Sequence, residues 1–360
     1  MEGRFIASLL LVLMCEGALV SPTGGLKKSS LVQGLGDVRT KANQCPSEQD
    51  IFPCVCIYDS TNDLMDLDCS GVVDEEQLSQ VFMANFPSTN FHAFTIYNNT
   101  GLTILHAGVF QDVSFQEFHI QFSVLEEIKE DALTPSYTTV TTLALTNNQI
   151  FSFPFSQIES FQVLQELNLA SNNFHFLQIM KSDTLNTLGL AHNPLSSVTG
   201  DIFQGLTAVQ IIDLSSTLAA EVFPGVYDSL STLRQLLFTH NHFSFMPVGS
   251  FNLTTGAKQV LLDFTVNNID TVQVDAFTGL APGSTINLTD NFLTGLEEAV
   301  WRPLLEQDII LILGGNPLGC GCGIAWLVRD ETLLDNTRDA MCADGILITD
   351  LNPSIFDLCP

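Results

Sequence analysis

Residues 164–172 read Leu-Gln-Glu-Leu-Asn-Leu-Ala-Ser-Asn, apolar at the first, fourth and sixth positions and Asn at the ninth. The same phrase precedes it as Val140-x-x-Leu143-x-Leu145-x-x-Asn148 and follows it as Leu185-x-x-Leu188-x-Leu190-x-x-Asn193. With the fourth position as a marker, the series runs Phe94, Phe118, Leu143, Leu167, Leu188, Ile212, Leu236, Leu262, Ile286 and Leu311. Successive spacings are 24, 25, 24, 21, 24, 24, 26, 24 and 25 residues. A fixed period of this length marks a chain of stacked units, each packing mainly on its neighbours.

The phrase resembles the leucine-rich-repeat signature, which implies an α/β repeat solenoid. The expectation is a curved array of about ten repeats with a parallel β-sheet on its concave face. The apolar-x-apolar core of each phrase is a short strand with two inward side chains, and strands of successive repeats stack in parallel. Each inward Leu contributes roughly 1.5–3 kcal/mol through burial. The ninth-position Asn leaves the strand, and its amide can satisfy loop backbone groups inside the stack. It is present as Asn99, Asn148, Asn172, Asn193, Asn241, Asn267, Asn291 and Asn316. Ser123 and Thr217 replace it in the second and sixth repeats, where a looser ladder is expected. Farther along many repeats an aromatic residue recurs (Phe110, Phe203, Tyr227, Phe251, Phe277, Trp301), expected to fill the core on the convex side.

The chain begins with Arg4, an apolar run from Phe5 to Met14, and the small residues Gly17 and Ala18. This reads as a secretory signal peptide over 1–18, since the run is too short to span a bilayer. No second apolar run of about 20 residues follows, and the chain ends at Cys359-Pro360 without an apolar tail. The mature protein is therefore expected to be secreted, with no membrane insertion. Residues 19–44 are rich in Gly, Ser and Lys and read as a flexible leader.

Of nine cysteines, Cys15 falls in the signal, leaving four near the start (Cys45, Cys54, Cys56, Cys69) and four at the end (Cys320, Cys322, Cys342, Cys359). An even count in two clusters of a secreted chain reads as disulfides. The Cys-x-Cys spacings differ from the two to four intervening residues usual at zinc. Spacing alone leaves three connectivities per cluster. A solenoid exposes apolar ends that need caps. The clusters fall at those ends, giving an N-terminal cap over 45–86, repeats over 87–316 and a C-terminal cap over 317–360. The sequence has 40 acidic and 12 basic residues, a formal charge of −28. Such a body repels nucleic acid and anionic membrane.

The arrangement Cys45-x8-Cys54-x-Cys56-x12-Cys69 resembles the N-terminal cap of extracellular leucine-rich-repeat proteins. Asn316-Pro317-Leu318-Gly319-Cys320-Gly321-Cys322, Trp326-Leu327, Cys342 and Cys359 resemble their C-terminal cap. The resemblance implies pairing of first with third and second with fourth cysteines: Cys45–Cys56, Cys54–Cys69, Cys320–Cys342 and Cys322–Cys359. Met65-Asp66-Leu67-Asp68-Cys69-Ser70, Asp74-Glu75-Glu76-Gln77-Leu78, Val300-Trp301-Arg302-Pro303-Leu304-Leu305 and Cys320-Gly321-Cys322-Gly323-Ile324-Ala325-Trp326-Leu327 are similar to one arthropod group. Its namesake is the non-catalytic subunit of the Oplophorus shrimp luciferase. That resemblance runs from Cys45 to Cys359 and implies a partner in the form of a small catalytic chain.

No Gly-x-Ser-x-Gly elbow, His-Glu-x-x-His motif or Walker loop occurs. Asp66-x-Asp68-x-Ser70-Gly71 mimics the start of a calcium loop, but its twelfth position is Gln77 rather than the bidentate Glu such a site needs. His119, His192 and His240 fall at outward positions of separate repeats, too far apart for one site. No catalytic residue, metal ligand or cofactor is expected. Three glycosylation sequons begin at Asn98, Asn252 and Asn287, the last on the ninth strand, where a glycan would project from the concave sheet.

Outward strand positions are mostly small and uncharged: Thr95, Ala144, Asn168, Gly189. In the C-terminal half Ile211, Leu237 and Leu261 point outward beside Asp213, Arg234 and Asp263, and are expected to form a row of exposed apolar side chains across adjacent strands. Such a row suggests a contact patch for a protein partner. The functional expectation is a secreted, non-enzymatic protein that binds another macromolecule through its concave face. The two readings kept open are a stabilising subunit of a luciferase-like complex and an extracellular recognition protein.

Overall fold

The computed structural model describes residues 44–253 and 258–359. The expected signal peptide and leader lie outside these residues, residue 44 excepted, as does Thr254 of the second sequon.

Thirteen strands form one sheet in chain order. They are β1 (Val55–Asp59), β2 (Leu64–Asp68), β3 (Asn90–Tyr97), β4 (Ser114–Gln121), β5 (Thr142–Ala144), β6 (Glu166–Asn168) and β7 (Thr187–Gly189). They continue as β8 (Ile211–Asp213), β9 (Gln235–Leu237), β10 (Leu261–Asp263), β11 (Thr285–Asn287), β12 (Ile310–Ile312) and β13 (Thr337–Arg338). Only β1 and β2 are antiparallel; every later neighbour is parallel. All ten markers fall in one register, from Phe94 beside Phe118 to Ile286 beside Leu311, and all are buried. This is the curved leucine-rich-repeat solenoid with its parallel sheet on the concave face.

Two features of the repeat phrase make this arrangement. Position six sends a second side chain inward, so Ile96, Leu145, Leu169, Leu190 and Leu214 join the markers in a continuous core. Position eight then reverses the chain in the left-handed region in every repeat, from Asn98 (φ 53°) and Phe122 (φ 51°) to Asp290 (φ 55°) and Gly315 (φ 72°). Asn and Asp accept this conformation readily, whereas Phe122 and Val266 adopt it against their preference.

The Asn ladder ties each repeat to the one before it. Asn172 donates to Leu145 O at 2.8 Å and Leu169 O at 2.9 Å, and accepts from Ile150 N at 2.9 Å. Where the ladder is substituted it changes in kind. Ser123 Oγ still accepts from Asn99 N at 3.0 Å, one repeat back. Thr217 Oγ1 instead donates to Leu214 O within its own repeat and to Asn241 Oδ1 in the next. Next to the Ser123 repeat, Asn148 Oδ1 is buried without a partner among the described residues. The convex side is filled by stacked rings: Phe203, Tyr227, Phe251 and Phe277 follow one another with centroids 6.0, 5.4 and 5.5 Å apart.

Both ends are closed. At the N-terminal end Cys45 is bonded to Cys56 and Cys54 to Cys69. Helix α1 (Glu75–Phe82) begins on a reciprocal cap in which Asp74 accepts from Gln77 N at 2.8 Å and Gln77 accepts from Val73 N at 2.9 Å. Gly101 lets the first repeat close on this cap, because a Cβ there would lie 2.0 Å from the Val73 carbonyl oxygen. At the other end Cys320 is bonded to Cys342 and Cys322 to Cys359. Trp326 donates to Leu296 O at 3.1 Å, and the Arg302 guanidinium of α2 (Glu298–Leu305) sits 5.4 Å from the Trp326 ring.

Candidate functional site

The concave face is two columns of outward side chains, set by the sheet register. One column runs Asp66, Ala93, Glu117, Thr142, Glu166, Thr187, Ile211, Gln235, Leu261, Thr285, Ile310. The other runs Asp68, Thr95, His119, Ala144, Asn168, Gly189, Asp213, Leu237, Asp263, Asn287, Ile312.

The register corrects the expected apolar row. Ile211, Leu237 and Leu261 lie on successive strands but not in one column: Ile211 and Leu261 share a column and are separated by Gln235. Leu237 stands in the other, directly between Asp213 and Asp263. All three are half-buried rather than fully exposed, and Arg234, one residue before β9, is exposed at the rim. The patch is thus a checkerboard of aliphatic and acidic side chains. The two carboxylates also hold the following turn: Asp213 accepts from Ser215 N at 2.9 Å, and Asp263 from Thr265 N at 2.9 Å and Thr265 Oγ1 at 2.6 Å. Ile309 is buried, and β13 pairs on the outer edge of β12 beside Ile312.

The N-terminal half of the face is polar in a way position-by-position reading missed. His92 Nδ1 lies 2.9 Å from Asp66 Oδ1, His92 Nε2 lies 3.8 Å from Glu117 Oε1, and His119 Nε2 lies 2.8 Å from Glu117 Oε2. His119 is therefore the end of a four-residue chain of alternating carboxylate and imidazole. The signal for it was available: His92 is at position two of its repeat, where a side chain reaches the same face from the rim. Asp66 and Asp68 of the calcium-loop mimic are on strand β2, where Asp66 bonds His92 and Asp68 accepts from Ser70 N at 2.9 Å. Among the described residues no group of three or more His, Cys, Asp or Glu is placed to hold a metal ion.

The sequon asparagines differ in setting. Asn98 is exposed, and its side chain makes no hydrogen bond among the described residues. Asn252 is exposed but donates to Asp228 Oδ2 at 3.4 Å and accepts from Thr278 at 3.1 Å. Asn287 is half-buried between Asp263 and Ile312, and accepts from Thr289 N at 3.1 Å and Thr289 Oγ1 at 2.7 Å. Among the described residues no helix is long and apolar enough to cross a membrane.

The repeat register, the Asn ladder and the two bridged caps define a leucine-rich-repeat protein, and the leucine rich repeat family model matches residues 183–243. The chain belongs to the family of the Oplophorus-luciferin 2-monooxygenase non-catalytic subunit of Oplophorus gracilirostris. It is 31% identical to that protein over 359 residues, spanning 99% of each chain. It is also similar to the CD180 antigen of Mus musculus, at 21% identity over 346 residues covering 78% of this chain and 52% of CD180. Among solved structures, a chain of the octameric complex of Latrophilin 3, Unc5D and FLRT2 (LRR) shares the fold, with a TM-score of 0.61 and 19% identity over 81% of this chain and 89% of that one.

Proposed function

We propose that this protein is secreted and binds a second protein chain through its concave face, acting as the non-catalytic, stabilising subunit of a luciferase-type complex. The observation that carries this reading is the full-length relationship to a subunit whose own name declares it non-catalytic. The concave face supports it: the side chains that meet there suit contact rather than reaction. Leu237 between Asp213 and Asp263, with Ile211 and Leu261 one column away and Arg234 at the rim, suits a partner that offers an aliphatic side chain flanked by basic ones. Binding of that kind orders the partner and raises its apparent stability by mass action.

The test is a paired substitution of Leu237→Asp and Leu261→Asp, with partner recovered by co-purification of the secreted chain. Loss of a stoichiometric small chain, with secretion and unfolding temperature unchanged, supports the reading. Undiminished co-purification removes the patch from it. A wild-type chain that emerges as a free monomer, and binds a microbial or receptor ligand instead, replaces the subunit reading with extracellular recognition.

A further inference from the structure

Strands β3 and β4 are eight residues long, whereas each repeat strand after them has three. At the end of β3 and just past β4 stand two aromatic side chains that the fold leaves half exposed. Tyr97 is 54% exposed and Phe122 is 53% exposed. Their rings meet edge to face with centroids 5.4 Å apart. Phe122 also holds a left-handed backbone (φ 51°) that a bulky residue seldom adopts. Two contacting aromatic rings left half exposed offer an apolar surface that a bound group can cover.

The occupant is supplied by the next residue along. Asn98 follows Tyr97, is exposed, and heads the sequon Asn98-Asn99-Thr100. Its neighbour Asn99 is committed to the ladder, donating to Ser70 O at 3.0 Å and accepting from Gly101 N at 2.9 Å. That leaves the Asn98 amide as the free one, with the Thr100 hydroxyl also exposed. We infer that Asn98 carries an N-linked glycan whose first sugar lies on the Tyr97–Phe122 pair. The apolar face of a pyranose ring against an aromatic face removes both from water, as at other amphipathic aromatic sites.

This rests on the secreted reading above. The group comes from a lipid-linked oligosaccharide pyrophosphate in the secretory pathway. The Asn98 amide nitrogen forms a bond to the sugar C1, the C1–O bond to pyrophosphate breaks, the amide loses one proton, and the lipid pyrophosphate leaves.

The experiment uses the full chain secreted from insect cells. Peptide mapping should find the Asn98 peptide bearing N-acetylhexosamine, with enzymatic release converting Asn98 to Asp. Thr100→Ala, which removes an exposed hydroxyl and its methyl, should abolish the modification and lower the Tm by about 2 °C. In a Tyr97→Ser/Phe122→Asn background, where Asn suits the left-handed position, Thr100→Ala should leave the Tm unchanged. Chain in the medium with Asn98 bare overturns the site while leaving secretion standing. A Tm drop of equal size in both backgrounds overturns the stacking. No chain in the medium overturns the secreted reading and the glycan with it.

Discussion

Substituting Asn241 by Ala should destabilise the protein far more than the same change at Asn148, although both are the ninth residue of a repeat. Asn241 donates to Leu214 O at 2.8 Å and Phe238 O at 3.1 Å. Its Oδ1 accepts from Thr217 N at 2.9 Å, Thr217 Oγ1 at 3.1 Å and Ala219 N at 3.0 Å. On truncation the two carbonyls remain bonded, Leu214 O by Thr217 Oγ1 and Phe238 O by Asn267. The Thr217 and Ala219 N–H groups do not, and both residues are buried. Each orphaned buried group costs roughly 1–3 kcal/mol, so Asn241→Ala should cost about 4 kcal/mol. Asn148 Oδ1 already lacks a partner, so its loss orphans no N–H. Its amide donates to Ile120 O at 2.7 Å and Leu145 O at 3.1 Å, and Leu145 O keeps the Asn172 bond. Asn148→Ala should therefore cost only about 1–2 kcal/mol. Equilibrium urea unfolding with the disulfides intact measures both. Equal destabilisation would refute the account of the ladder as a set of satisfied N–H groups.

Two further outcomes follow from the caps. Burial tends to raise the Glu75 carboxyl, but hydrogen bonds from Thr103 N and Thr103 Oγ1 (both 2.7 Å) and Ile104 N (2.9 Å) outweigh it and hold the group at about 2. A depressed carboxylate adds stability in full above its ordinary value near 4.5, and loses it as pH falls toward about 2. Glu75→Gln should cost about 1 kcal/mol at neutral pH, after allowing for its partial exposure, and flatten the acid limb of a stability–pH curve. Replacing Cys322 and Cys359 together by Ser opens a crosslink spanning 37 residues, against 11 for Cys45–Cys56. Chain entropy sets the expected losses at about 4 and about 3 kcal/mol, measured by calorimetry of the two double variants.

The scaffold was legible because its signal is written in side chains that repeat. Leu167, Leu169 and Asn172 announce a strand, a core and a turn together, and their spacing fixes the register of the sheet. The proposed binding face was legible only in part. Outward positions carry no repeat pattern, so Leu237 and Leu261 read as one row across adjacent strands when the register sets them in different columns. His92 was passed over because it stands at a rim position, and its partnership with Asp66 and Glu117 exists only across three strands. The left-handed eighth position carries Asn, Asp, His, Ser or Gly in eight repeats, but Val266 and Phe122 conceal it by being the wrong residues for the conformation. The mismatch at Phe122 is where the aromatic pair with Tyr97 arises.

The central claim, that the concave sheet is the protein-binding face, is tested most directly by placing a glycan on it. Gln235→Asn with Leu237→Thr creates a sequon at the middle of the face, where Gln235 is exposed. Glu297→Asn with Ala299→Thr places one at the exposed start of α2, away from the sheet. With both variants secreted and shown to be modified, partner co-purification should be lost for the first and retained for the second. Retention by the first, or loss from the second alone, would contradict the account.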